Sequence, residues 1–197
     1  MALAIQSFSG GEIAAFVDDL ARLRIAVFRD FPYLYEGDLA YERNYLATYS
    51  RSEGSVFVLA ADSDRVVGAA TGTPMVGETD EVKAPFLAAG RDPAEHFYFG
   101  ESVLLPEYRG QGIGVKFFEG REAQARKLGL RYATFCAVER AADHPRRPAD
   151  YVPLDSFWTR RGYTHHPELR TTFSWRDLDE ARESPKPLSF WIRDLRS

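Results

Sequence analysis

The chain has 197 residues, 45% of them hydrophobic and 27% charged, a composition that gives no sign of disorder and fits one domain over residues 1–197. A formal charge of −4 argues against a nucleic-acid partner, because neutralising phosphates takes a basic face. One cysteine, Cys136, excludes an intrachain disulfide and is compatible with a reducing compartment. The N-terminus has no basic segment ahead of an apolar one, and no apolar run approaches the ~20 residues that span a bilayer. The expectation is a soluble cytoplasmic protein with no membrane partner.

In chain order, "LAIQSF" (3–8) reads as a strand, broken by Ser9-Gly10-Gly11, and "EIAAFVDDLARLRIAVF" as a helix of apolar period near 3.6 that ends before Pro32. "DLAYERNYLATYS" predicts a helix with Tyr41, Tyr45 and Tyr49 on one face, read as a core stripe. Two β-rich runs, 55–61 and 65–75, meet at Asp62-Ser63-Asp64 as a hairpin. The polar segment 77–95 holds a short helical piece and is long for a connection, a length typical of lids and binding loops. Strand 96–106, helix 112–128 stopped by Gly129, and strand 131–138 follow, with Cys136 expected as a buried small hydrophobe. A proline-rich loop, a short helix "LDSFWTRRG" and two pairing strands, "LRTTFSW" and "PLSFWIRDL", complete a mixed three-layer α/β sheet.

The segment "VLLPEYRGQGIGVKFFEG" carries the chemistry. A β-type run stops at Pro106, and Gly110, Gly112 and Gly114 lead into a helix. The first four N–H groups of a helix lack internal acceptors and, with the positive end of the dipole, suit an anion. Glycines let a phosphate approach that backbone. A dinucleotide fingerprint fails at Val115 or Phe117, and a phosphate-binding Walker loop fails because Val115 stands where its second glycine belongs and Phe117 follows Lys116.

What remains, Arg109-Gly110-Gln111-Gly112-Ile113-Gly114 after a strand, with Pro106 and Tyr108 leading in and Leu104 in a usual valine place, resembles the coenzyme A motif of the GNAT superfamily of N-acetyltransferases. "FWTRRGY" (157–163) is similar to a C-terminal segment of that family, and the order of elements is similar along nearly the whole chain. The resemblance implies a single-domain α/β fold, its central sheet mixed, mostly antiparallel, of six to seven strands and flanked by helices. It implies acetyl-CoA as co-substrate, with no metal. Backbone groups of Gly110, Gln111, Gly112, Ile113, Gly114 and Val115, with Arg109 in the motif, would hold the pyrophosphate. Those of Ser102, Val103 and Leu104 would hold the pantetheine arm like an added strand. Val115, Phe118, Ala125 and Leu128 would then face the core, leaving Lys116 and Arg121 free for coenzyme phosphates or solvent.

Amine acylation needs a proton acceptor and a donor for the thioester oxygen. Glu101, in "YFGESVLL", is the expected base, its pKa raised by an apolar strand, with a salt-bridged or edge-exposed carboxylate as the other reading; Glu139 is the second candidate. The family's usual acid, a tyrosine four residues before Gly162, is replaced by Trp158, which leaves Tyr151 or water, with packing as the other reading of Tyr151. Aromatics with Asp30, Glu36 and Asp38 would suit a small cationic amine acceptor, and His144, Arg146 and Arg147 a small anion. The leading reading is an acetyl-CoA-dependent N-acetyltransferase with a small-molecule amine acceptor, to which a homodimer is not an obstacle. The runner-ups are a non-catalytic coenzyme A-binding module and a structural domain.

Overall fold

A computed structural model describes residues 3–197, apart from the side chains of residues 48 and 50. Seven strands form one sheet in the order β1-β2-β3-β4-β5-β7-β6, where β1 is Leu3–Phe8, β2 Val56–Asp62, β3 Arg65–Pro74, β4 His96–Leu104, β5 Tyr132–Val138, β6 Thr164–Trp175 and β7 Ser184–Asp194. All neighbours are antiparallel except β4 and β5. Helix α4 (Ile113–Lys127) covers one face, and α1 (Val17–Phe28), α2 (Leu39–Arg51) and α3 (Asp80–Ala88) cover the other; α5 (Asp155–Arg160) is a short helix after the proline-rich loop. This is the expected mixed, mostly antiparallel sheet flanked by helices.

Local departures have physical causes. The first helix starts as a 3-10 segment, Gly10–Phe16, which Gly10 enters at φ +58, and only then becomes α-helical. Strand β6 begins five residues earlier than its β-rich core, at Thr164, and slips register between His166 and Arg170; Pro167, which has no N–H, lies inside that slip. The hairpin turn puts Ser63 at φ +56. The tyrosine stripe is not one core face: Tyr49 is buried and Tyr45 half-buried, but Tyr41 is 60% exposed.

The core face of α4 also differs from expectation. Ile113, Phe117, Phe118, Arg121, Glu122 and Ala125 are its buried residues, whereas Leu128 is exposed and Val115 half-buried. Gly129 ends the helix at φ +73, its N–H donating to Arg126 O while Leu130 N–H reaches Ala125 O.

Candidate active site

Two features of β4 create an opening in the sheet. First, the parallel pairing of β4 with β5 covers only His96↔Tyr132, Phe97↔Ala133 and Tyr98↔Thr134. Beyond Tyr98 the two strands stay with their outer neighbours, β3 and β7, and a notch separates them. Second, the β3–β4 register shifts between Ala70 and Gly72, so that Thr71 faces two residues, Gly100 and Glu101. Such an insertion inverts the alternation of the strand. Phe97 and Phe99 pack towards α4, while Glu101 and Val103, past the bulge, turn to the α1–α2 side.

The bulge is tightly specified. A β-carbon on Gly100 would lie 2.5 Å from Tyr49 Oη and 2.7 Å from Thr71 Oγ1. Glu101 N–H, released from the ladder, donates to Thr71 Oγ1 at 3.3 Å. From the opposite face Arg121, 1% exposed, donates from Nη1 to Glu101 O at 3.1 Å and Thr71 O at 3.4 Å, with its guanidinium 4.1 Å from the Phe99 ring centre. Burial lowers the pKa of Arg121 to about 10. Arg121 is therefore unavailable to coenzyme phosphates; Lys116 is at the surface, paired with Glu119 at 2.9 Å.

Leu105 N–H donates to Val67 O, so by strand alternation the backbone groups of Leu104 and Ser102 point away from β3, into the notch, and those of Val103 into the β3 ladder. Of the three residues expected along a pantetheine arm, Val103 thus offers its neighbour β3, not the notch, its main-chain groups. Arg109 Nε donates to Leu104 O at 3.3 Å, tying the motif's arginine side chain to the notch wall.

The glycine turn follows a 3-10 turn, Pro106–Tyr108, anchored by Tyr108 Oη donating to Asp62 Oδ2 at 2.9 Å. Gly110 and Gly112 adopt φ +76 and +79, and nothing lies within 4 Å of a β-carbon built on either. Gly114 is not in the left-handed region; its β-carbon would meet only Phe157, at 3.6 Å. Among the described residues, the N–H groups of Gly110, Gln111, Gly112, Ile113 and Gly114 have no protein acceptor, and no acidic side chain occupies the first turn of α4. Val115 departs from the expectation, since its N–H already donates to Gly112 O at 3.0 Å. Five open amides at a helix N-terminus suit a diphosphate, so the residues present fit coenzyme A.

On the α1–α2 side, Arg24 bridges Glu42 and Glu101, which are 0% and 7% exposed. Burial works against the charge of Arg24, but Glu101, Tyr45 and Glu42 outweigh it and raise its pKa further. The expected lone carboxylate in an apolar strand is thus an ion-paired one. Its Oε2 also accepts from Tyr45 Oη at 3.4 Å, and its Oε1 has no hydrogen-bond partner among the described residues. Tyr45 Oη lies 3.0 Å from Tyr49 Oη, which donates to Glu78 Oε1 at 3.0 Å. Glu78 lines a cavity of about 330 Å³ with Tyr45, Tyr49, Ser52, Thr73 and Thr79. Burial raises the pKa of Glu78, with Glu101 adding to it and the Tyr49 hydroxyl, Thr79 N–H and Lys83 opposing. No sequence pattern marks Glu78; its position in the long 77–95 connection was the one available signal.

The remaining candidates are placed elsewhere or differently. Glu139 pairs with Arg170 at 3.0 Å on an exposed edge. Tyr151 packs edge-on against Phe31 and under the Arg147 guanidinium, and burial raises its pKa. Trp158 is wedged edge-on between Phe135 and Trp191. Asp38 caps α2, and Glu36 pairs with Arg176, so neither lines the cavity. Cys136 is half-buried rather than core; burial pushes its thiol up to about 12, and Tyr98 Oη lies 3.2 Å from Sγ. Among the described residues no group of three or more His, Cys, Asp or Glu could hold a metal, and no helix is long and apolar enough to cross a membrane.

Comparison with known proteins adds to this geometry. Residues 20–148 match the family described as Acetyltransferase (GNAT) family. No curated protein matches the sequence. Among solved structures, yncA from Salmonella typhimurium, determined with its cofactor acetyl-CoA, is 14% identical with a TM-score of 0.61, covering 99% of this chain and 95% of that one. PaiA N-acetyltransferase from Thermoplasma acidophilum, in complex with coenzyme A, is 12% identical with a TM-score of 0.56, covering 98% and 99%. Ribosomal-protein-alanine N-acetyltransferase from Brucella melitensis is 14% identical with a TM-score of 0.60, covering 98% and 99%. At these identities the likeness is one of fold.

Proposed function

The chain belongs to the GNAT acetyltransferase family, and from that premise we propose that it transfers an acetyl group from acetyl-CoA to the primary amine of a small molecule, within one domain and by direct attack in a ternary complex. The observation that carries this reading is the set of open amides from Gly110 to Gly114 beside a notch whose wall is the main chain of Ser102 and Leu104. The amides hold the coenzyme's pyrophosphate, and Arg109 fixes the wall at Leu104.

When bound, acetyl-CoA supplies an acyl carbon to which the amine's lone pair adds, the thiolate leaving with the C–S electron pair and then taking a proton. The protein's part is to place the amine and remove its proton. Glu101 is the final proton acceptor, reached through the Tyr45 and Tyr49 hydroxyls rather than directly, because Arg24 occupies its side chain. No tyrosine replaces Trp158 as acid in this reading: Tyr151 is a packing residue, and the proton for the leaving thiolate would come from bulk solvent, balanced by the proton that the protein returns there. The cavity's polar wall, with Glu78 as its carboxyl group, suits a small cationic acceptor.

Thiol release over a panel of small amines tests the reading. Turnover with at least one amine, and binding of acetyl-CoA by calorimetry, is the expected result. Coenzyme binding with no turnover on any amine would replace it by the non-catalytic binding module, and no binding would remove both.

A further inference from the structure

Three oxygen–oxygen contacts connect the cavity to the buried ion pair: Glu78 Oε1 to Tyr49 Oη at 3.0 Å, Tyr49 Oη to Tyr45 Oη at 3.0 Å, and Tyr45 Oη to Glu101 Oε2 at 3.4 Å. Each needs one hydrogen between its oxygens. Two phenols bring two hydrogens, and a carboxylate brings none. If both phenols donate outwards, to Glu78 and Glu101, the two phenol oxygens face one another with no hydrogen between them. With one further proton every contact is satisfied, whichever end holds it. We propose that Glu78, Tyr49, Tyr45 and Glu101 form a one-proton store whose open end, Glu78, takes the proton of the acceptor's ammonium group, which makes Glu78 a catalytic residue. This deepens the amine-acetylation reading and rests on it for the identity of the proton's source.

The surroundings favour uptake of that proton. The cluster sets two buried carboxyl groups, of Glu42 and Glu101, against the guanidinium of Arg24 and adds the half-buried carboxyl of Glu78, near which Lys83 is a second cation. Among the described residues Glu101 Oε1 is buried without a partner, so the cluster is short of hydrogens rather than of acceptors. Facing Glu78 are Tyr45 and Tyr49 from α2, Glu101 and Tyr98 from β4, Lys83 from α3 and Cys136 from β5. Lys83 is the cation among them, and it pairs at 3.3 Å with Asp80. Burial lifts the phenols of Tyr45 and Tyr49 well above their usual range, so both keep their hydrogens and act as carriers. Glu78 itself is half-buried at the cavity wall, where an ammonium group can reach it.

The step balances without a further reactant. An ammonium N–H bond breaks, its electron pair stays on nitrogen as the nucleophile, and the proton joins Glu78. Tyr49 and Tyr45 can each pass a hydrogen on, so that the proton ends at Glu101, now neutral, and Glu78 is again a carboxylate. The store empties to solvent through the cavity after the product leaves.

The test has two readouts. In carbon-13 NMR of the glutamate-labelled protein without any ligand, one side-chain carboxyl group should titrate above the usual carboxylate range, and that signal should vanish in Glu78→Gln. In steady-state kinetics Glu78→Gln should lower kcat by about 100-fold or more, the scale of general-base catalysis, with acetyl-CoA affinity unchanged. Glu78 titrating in the ordinary range, or wild-type kcat in the folded Glu78→Gln variant, would overturn the proposal. If wild-type protein acetylates no amine, the function reading fails, while the ligand-free titration still decides whether the store exists.

Discussion

Arg121 Nη1 lies 3.1 Å from the carbonyl oxygen of Glu101, so a fully buried cation on α4 clamps the main chain of the residue whose side chain ends on the opposite face of the sheet. The clamp also holds Thr71 O, and together they fix the bulge that turns Glu101 towards Arg24. Replacing Arg121 by methionine keeps most of the packing against Phe99 and Phe118 but leaves the bulge carbonyls without their donor. Each unsatisfied buried group costs about 1–3 kcal/mol, so Arg121→Met, which orphans two carbonyls, should lower unfolding stability by roughly 2–6 kcal/mol in urea titration. A variant of unchanged stability would show that the bulge holds itself.

Arg121 also shows where the sequence was legible and where it was not. Helical spacing from Phe117, Phe118 and Ala125 places position 121 on the buried face, but a charged residue there reads as solvated, because its partners are main-chain oxygens that no sequence pattern reveals. The glycines were readable for the converse reason: φ near +75 at Gly110, Gly112 and Gly129 excludes most side chains, so residue type reports conformation directly. The strand around Glu101 is legible, whereas its ion pair with Arg24 is not, since the partner lies 77 residues away. Glu78 is marked by a cavity that brings Tyr45 and Tyr49 of α2 together with Thr73 of β3, a meeting of distant segments that no sequence pattern reveals.

The glycine turn separates conformational strain from ligand access. Gly112→Ala meets no neighbour within 4 Å, so its cost is the left-handed backbone alone, about 1–2 kcal/mol. Gly114→Ala has ordinary helical geometry and an ordinary contact with Phe157, so it should be neutral or stabilising by up to about 1 kcal/mol. Thermal melts without ligand should rank the two variants in that order. Calorimetry with acetyl-CoA should then show weakened binding for Gly112→Val, where a branched side chain enters the space over the open amides. Equal affinity in Gly112→Val and wild type would contradict a diphosphate held there.

His96 gives the fold a pH dependence. Burial, helped by the Arg91 charge, lowers its pKa to about 4 from the ordinary 6.5, and its Nδ1 lies 2.7 Å from Thr134 Oγ1. The unfolded chain therefore binds a proton between these values that the folded chain refuses. The stability from neutral His96 is complete above pH 6.5 and is lost as pH falls through that window. A shift of this size corresponds to about 3 kcal/mol as an upper figure, at 1.36 kcal/mol per unit. His96→Phe should flatten urea-unfolding stability between pH 6.5 and 4; a profile as steep as wild type would assign the dependence to another group.

Arg24 is the cation on which the buried end of the proton chain depends. It is 9% exposed and holds Glu42 and Glu101, so removing it alone leaves two buried carboxylates facing one another with no counter-charge. Breaking a buried pair by deleting one partner costs about 3–5 kcal/mol, whereas replacing all members with apolar groups of similar volume is often neutral. Arg24→Met should therefore lower stability by about 3–5 kcal/mol, and the triple variant Arg24→Met, Glu42→Met, Glu101→Met should recover most of that loss. If Glu101 is the final proton acceptor, the stable triple variant should bind acetyl-CoA with wild-type affinity and lose amine turnover. A triple variant as active as wild type would reduce the ion-pair cluster, Glu101 included, to a packing role. Guanidine titrations and thiol release on the same three proteins separate the two effects, because stability follows the charge balance and turnover follows the carboxylate.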